Sequence, residues 1–164
     1  MNNKNEERIS RDTLYIATAS LMSLRGTCKR MKVGCVITSK DNRIIATGYN
    51  GSLDKHCTLC DLSKPCTEAI HAEANAIAYA AKKGIPLDGS IIYCTHSPCL
   101  KCAELIIQSG IKKVVYSKPY RDQTPKILLE SNMVELIPLH DKFNITITNE
   151  TPLNLIDGGS SFNV

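Results

Sequence analysis

The sequence predicts one α/β domain in which a mixed β-sheet lies between helices. Three observations lead there. Stretches with helical apolar period alternate with short runs rich in Val and Ile, in the order α-β-β-α-β-α-β-α-β. The chain has 164 residues, enough for one domain with a sizeable core. Aromatics are scarce, with six Tyr, two Phe and no Trp, so Ile, Leu, Val and Ala must fill that core, as is usual for α/β proteins.

Taken in order, Arg11 to Ser23 reads as a helix carrying Leu14, Ala17, Leu21 and Leu24 on one face. Val33 to Thr38 and Arg43 to Thr47 read as strands, and the turn formers between them, Lys40-Asp41-Asn42, predict a hairpin. Gly48 to Thr67 has no sustained apolar period and reads as an irregular loop. A loop of that length inside a compact domain is usually functional or pinned. The Ala-rich run from Ala69 to Lys83 is a strong helix, closed by Gly84 and Pro86. Ser90 to Thr95 is a strand of the buried type. Pro98 then opens a helix over Cys99 to Ser109 that ends at Gly110. Lys112 to Ser117 is a further strand, Pro125 to Ser131 a helix and Val134 to Pro138 a last strand. The expected domain covers residues 1–138, and residues 139–164 form a tail in which Phe143, Ile145 and Ile147 suggest an edge strand before disorder.

Eight cysteines would suggest a disulfide framework in a secreted chain. The polar start MNNKNEERISRD has no apolar core of a signal peptide, and no apolar run approaches the ~20 residues of a membrane span. The expectation is a cytoplasmic protein whose clustered cysteines bind metal. Without a secretion signal, the sequons at Asn144 and Asn149 carry no weight. A formal net charge of +4, spread without a basic block, suits a small anionic ligand as readily as nucleic acid.

The chemistry resides in two short motifs. His71-Ala72-Glu73 opens one helix and Pro98-Cys99-Leu100-Lys101-Cys102 opens the next. Cys99 and Cys102, three apart in a first helical turn, can present both sulfurs to one point, and His71 supplies a third ligand. Three protein ligands leave a fourth position for water, as in catalytic zinc sites. Both helix N-termini add positive potential that favours thiolates. Glu73, two residues from His71, is placed to shuttle protons, taking one from the water, delivering it to N3 of a pyrimidine and passing one to the departing amine. Alone, a CxxC could be redox-active or structural, and an HxE could be two ordinary helix residues. The pair in this order, separated by one strand, is the signature of zinc-dependent nucleobase deaminases.

Five blocks carry a closer resemblance: Arg25-Gly-Thr-Cys28, Lys32-Val-Gly34, Gly48-Tyr-Asn-Gly51, His71-Ala-Glu-Ala-Asn-Ala-Ile77 and Pro98-Cys-Leu-Lys-Cys102. From about Asp12 to Pro138 the chain resembles the deoxycytidylate deaminases of the cytidine and deoxycytidylate deaminase superfamily. The resemblance implies a three-layer α-β-α sandwich with a five-stranded mixed sheet, hydrolysis of dCMP to dUMP and ammonia for thymidylate synthesis, and homo-oligomers, often hexamers, with shared sites. By the same likeness Asn50 resembles the sugar contact, Arg25 and Arg121 the phosphate contacts, and Tyr120 the aromatic near the base. Asn50 could equally serve turn geometry, the two arginines could be solvated charges, and Tyr120 could be a core or rim residue. Many such enzymes are activated by dCTP and inhibited by dTTP, which would place effectors near Gly48, Tyr49, Asn50 and Gly51, with Mg2+ accompanying a triphosphate.

Cys28, Cys57, Cys60 and Cys66 are not used by this chemistry. All fall in loop-like stretches, and Cys57-x-x-Cys60 with Cys66 nearby has the spacing of a tetrahedral structural zinc that would pin the long loop. Some relatives carry such a second zinc. Alternatively these are reduced thiols, or His56 replaces one of them. Cys35 and Cys94 lie within strands as small core residues.

Other activities stay open: deamination of dCTP or modified dCMP, of free cytidine, or of tRNA adenosine. A noncatalytic zinc scaffold that binds nucleotide is a reading of a different class. Free cytidine deaminases usually have Cys in place of the His ligand. Asn75 and the Gly48–Gly51 block favour the nucleotide over tRNA, and membrane association is not expected. The intact Glu73 argues against a scaffold.

Overall fold

A computed structural model describes residues 8–53, 68–119 and 122–139. Helix α1 (Arg11–Ser23) is followed by strands β1 (Gly34–Thr38) and β2 (Ile44–Tyr49), helix α2 (Ala72–Lys83), β3 (Ile91–His96), α3 (Leu100–Gln108), β4 (Lys113–Lys118), α4 (Thr124–Ser131) and β5 (Glu135–Pro138). This is the element order expected from the sequence. The expected tail strand at Phe143 to Ile147 and the cysteine-bearing part of the long loop, residues 54–67, lie outside the described residues.

Local chemistry sets the boundaries. The Ser10 hydroxyl accepts from the Thr13 N–H at 3.0 Å and caps α1, whereas Gly84, at φ +64°, closes α2 in the left-handed conformation. Helix α2 begins at Ala72, three residues later than the Ala-rich run suggests. Ile70 pairs with Gly51 in an isolated antiparallel bridge, and His71 keeps an extended backbone at φ −70°, ψ 154°. The β1–β2 hairpin turns through Asn42 at φ 60°, with Ser39 N–H donating to the Arg43 carbonyl at 2.8 Å.

The five strands form one sheet in the order β2-β1-β3-β4-β5. Strand β1 runs antiparallel to both neighbours, while β3, β4 and β5 are mutually parallel. Alternate side chains feed two cores. Val36, Tyr93 and Val115 pack with Tyr15, Ile16 and Ala19 of α1. On the other face Cys35, Ile37, Ile92, Cys94 and Val114 pack with Ala72, Ala76 and Ala80 of α2, Ala103 and Ile106 of α3, and Leu129 of α4. The period of two thus gives the central strands an apolar surface on both sides, producing a three-layer α-β-α sandwich. Cys35 and Cys94 face each other across β1 and β3 and are fully buried, as expected of core residues.

The face that α1 buries differs from the sequence reading. Leu14, Leu21 and Leu24 are 46, 45 and 42% exposed, and the buried residues are Tyr15, Ile16, Ala19, Ser20 and Ser23. Close approach explains the inversion. A Cβ on Gly34 would lie 2.0 Å from the Ala19 carbonyl oxygen, so the helix sits directly on β1 and only small side chains fit there. Ser20 and Ser23 can be buried because their hydroxyls donate back to the Ile16 and Ser20 carbonyls at 2.9 and 2.7 Å. Periodicity scores those two serines as polar and so selects the wrong stripe.

The same closeness recurs at α2, where a Cβ on Gly48 would fall 2.1 Å from the Ala72 carbonyl oxygen. Gly48→Ala should therefore destabilise the protein by about 3 kcal/mol or more. Gly84→Ala, where no atom lies within 4 Å, should cost only the left-handed backbone penalty of about 1–2 kcal/mol. Chemical denaturation of both variants checks the ranking.

Candidate active site

The first turns of α2 and α3 meet beside the carboxyl end of β3. His71 and Cys99 are the N-cap residues of these helices, each with an extended backbone and neither using its side chain to cap. Ser, Thr, Asp or Asn would ordinarily bond the free helical N–H groups at this position. Here both side chains turn towards each other instead. The Cys99 and Cys102 sulfurs each lie 3.4 Å from His71 Nδ1, and the three donor atoms fall within 4.8 Å of one another. Ligands of a tetrahedral zinc, with bonds near 2.1 Å to nitrogen and 2.3 Å to sulfur, would be separated by roughly 3.5 Å. Distances and donor types therefore both fit zinc bound through Nδ1 and two sulfurs. Among the described residues this is the one such cluster of metal-ligating side chains.

Electrostatics differentiate the two thiols. The hydrogen bond from Cys102 and then those from His71 and the backbone lower Cys99 to about 4, while Cys102 is pushed up, first by its bond to Cys99 and then by burial. His71 is raised chiefly by its hydrogen bond with Cys99.

Glu73 is only 3% exposed. Burial raises its proton affinity, opposed by its own backbone N–H and the positive potential of His71. A buried carboxyl whose proton affinity is raised is better suited to accept and return a proton. Its position is set from below. The Cys35 thiol donates to the Ala72 carbonyl at 3.1 Å, the missing Cβ of Gly48 lets α2 approach the sheet, and Asn75 Nδ2 donates to the Tyr49 carbonyl at 3.0 Å. These contacts tie the turn bearing His71 and Glu73 to β1 and β2.

A cleft of about 100 Å³ opens onto this cluster. His71, Glu73 and Cys99 line it together with Asn50, Arg30 and Val33. Asn50 is 7% exposed; its Oδ1 accepts from Val33 N–H at 2.8 Å and its Nδ2 donates to the Met31 carbonyl at 2.7 Å. The amide thus shapes the wall while it lines the cleft. Cys28 is buried and also lines it. Arg25 is exposed at the end of α1 and is not among the described lining residues, where Arg30 stands instead. Gly48 and Tyr49 end β2, and Gly51 forms the bridge to Ile70. Tyr120, Arg121, His56, Cys57, Cys60 and Cys66 lie outside the described residues. Sequence reasoning missed Arg30, Val33, His96 and Ser97. His96 had a signal, since it ends a strand three residues before the first cysteine ligand.

The fold and the triad together define a protein built to hold one zinc ion at two converging helix N-termini, with a buried carboxyl beside it in a cleft. Residues 9–118 match the cytidine and deoxycytidylate deaminase zinc-binding region, and the chain belongs to this family. It is 38% identical over 162 residues to ComE operon protein 2 of Bacillus subtilis, a match covering 93% of this chain and 84% of that one. With the deoxycytidylate deaminase of Schizosaccharomyces pombe it shares 36% identity over 148 residues, covering 82% of this chain but only 45% of the yeast protein. The crystal structure of dCMP deaminase from the cyanophage S-TIM5 in complex with dCMP and dUMP superposes with a TM-score of 0.70 at 36% identity, covering 85% of this chain and 99% of that one.

Removal of zinc should destabilise the protein, because a ligand bound only to the native state stabilises it by mass action. Dialysis against a chelator should lower the melting temperature, and restored zinc should recover it. Cys102→Ser should lower the bound zinc by one ion per chain, as measured by atomic absorption, and diminish that response.

Proposed function

We propose that this protein is a zinc-dependent dCMP deaminase that converts dCMP to dUMP with release of ammonia. The observation that carries the reading is Glu73, buried beside three side chains spaced as zinc ligands, in a chain resembling a phage enzyme crystallised with dCMP and dUMP. His71, Cys99 and Cys102 would hold zinc, whose Lewis acidity makes water nucleophilic near neutral pH. Glu73 moves the protons, one to N3 of the cytosine ring and one to the departing exocyclic nitrogen. Its shielding from solvent keeps those protons within the site.

Turnover of zinc-replete protein, followed by ultraviolet absorbance, should be faster with dCMP than with deoxycytidine, CMP or dCTP. A clear preference for another compound would replace the substrate, and silence on all would return the tRNA and scaffold readings. Glu73→Ala should retain zinc and fold while losing about 10²–10⁴-fold or more in kcat. Full activity in that variant would overturn the proton-transfer role.

The same proposal includes finer features that rest on family resemblance: contacts from Arg25, Asn50, Tyr120 and Arg121 to the nucleotide, regulation by dCTP and dTTP near Gly48–Gly51 with Mg2+, a homo-oligomer, hexamer favoured, and a cytoplasmic setting. A second zinc held by Cys28, Cys57, Cys60 and Cys66 is also proposed; the spacing of these cysteines supports it. Cys60→Ser should then reduce bound zinc from two ions per chain to one and lower the melting temperature. An unchanged metal content would dismiss the second site.

A further inference from the structure

His96 is the last residue of β3, lines the same cleft as Glu73 and the metal ligands, and has no part in the chemistry assigned above. Its Nδ1 lies 3.1 Å from the Thr95 hydroxyl oxygen. That oxygen already accepts the Gly34 N–H at 3.2 Å. Thr95 is 7% exposed, so its own hydroxyl proton needs an acceptor, and among the described residues Nδ1 offers one within reach. With Nδ1 accepting, the single proton of a neutral imidazole resides on Nε2. Burial and the charge of Lys118, paired with His96 across β3 and β4, both hold the ring neutral.

We infer that His96 is a substrate-recognition residue whose Nε2–H, oriented by the chain Gly34 N–H to Thr95 hydroxyl to Nδ1, donates a hydrogen bond to an acceptor oxygen of the bound nucleotide. The inference rests on the deaminase reading for the identity of the ligand. The location suits this task. His96 stands at the carboxyl end of β3, where an antiparallel neighbour on one side gives way to a parallel one on the other, and ligands of open α/β sheets collect at such ends. The donor sits on rigid β-structure tied to the next strand, because the Gly34 N–H that starts the relay belongs to β1. Acceptor oxygens are available on the pyrimidine, the sugar and the phosphate of such a ligand.

Two substitutions separate the two ring nitrogens. An Asn side chain can replace only the Nδ1 side of histidine, whereas Gln extends an amide donor to the position of Nε2. Calorimetric titration of zinc-loaded protein with dUMP, which keeps all three kinds of acceptor oxygen and undergoes no turnover, should show about tenfold weaker binding or more for His96→Asn. His96→Gln should remain within about threefold of the parent, with zinc content unchanged in both. Parent-like binding by His96→Asn, an equal loss in both variants, or failure of dUMP to bind the parent protein would overturn the inference. Repeating the comparison with deoxyuridine identifies the acceptor: a penalty that persists places it on the nucleoside, and one that vanishes places it on the phosphate. Absence of dCMP turnover alongside intact dUMP binding would remove the deaminase reading alone, and the Asn-to-Gln comparison would still decide the role of His96.

Discussion

Everything at the site depends on two helices ending their N-terminal turns at the same point. Each begins on a residue that occupies the cap position without capping. His71 and Cys99 keep extended backbones and make no side-chain cap hydrogen bond to α2 or α3. The resulting positive potential from two helix ends favours anionic sulfur and, with zinc in place, an ionised oxygen. A more usual Ser or Asp cap would stabilise either helix by about 1 kcal/mol. The chain has forgone that local gain at both ends to aim an imidazole and a thiol at one spot.

Convergence of this kind requires the helices to be held closely, and the sheet does so through absent side chains. Gly34 admits the backbone of α1 at Ala19, and Gly48 admits that of α2 at Ala72. The Ala72 carbonyl lies between His71 and Glu73 in sequence, so the contact that seats α2 also sets the relative placement of the imidazole and the carboxyl. Cys35 reinforces it from β1 with a thiol hydrogen bond. Its fully buried environment raises its pKa well above the usual range, so it remains a neutral donor. The cysteines therefore divide by environment: Cys99, at a helix N-terminus and only partly buried, is drawn towards thiolate, whereas Cys35 and Cys94 are inert core residues.

The part of the cleft lined by Asn50 uses a related economy. Asn50 completes the backbone bonding of the segment entering β1, with Val33 N–H and the Met31 carbonyl as partners, and in doing so forms part of the cleft. Family resemblance points to this residue as a sugar contact, and the two roles are compatible in kind. An amide offers two donors and two lone pairs, of which the wall takes one each. Thr95 plays the corresponding structural part under His96.

The sequence by itself determined the order of the nine described elements, the limits of α1, and the three side chains that converge as candidate zinc ligands. These are encoded locally: turn and cap residues punctuate the chain, and a CxxC in a first helical turn brings two sulfurs together wherever the helix lies. The packed face of α1 was decided by tertiary structure. Contact with Gly34 rewards small residues, and hydroxyls bonded to their own helix can be buried, so Leu14, Leu21 and Leu24 face outward against the apolar pattern. The cleft was decided there too. Arg30, Val33 and His96 come from segments distant in sequence and meet only because β1 lies beside β3. The tautomer of His96 is set by a hydrogen-bond relay across 61 residues of chain separation, and such long-range geometry leaves no mark on local periodicity.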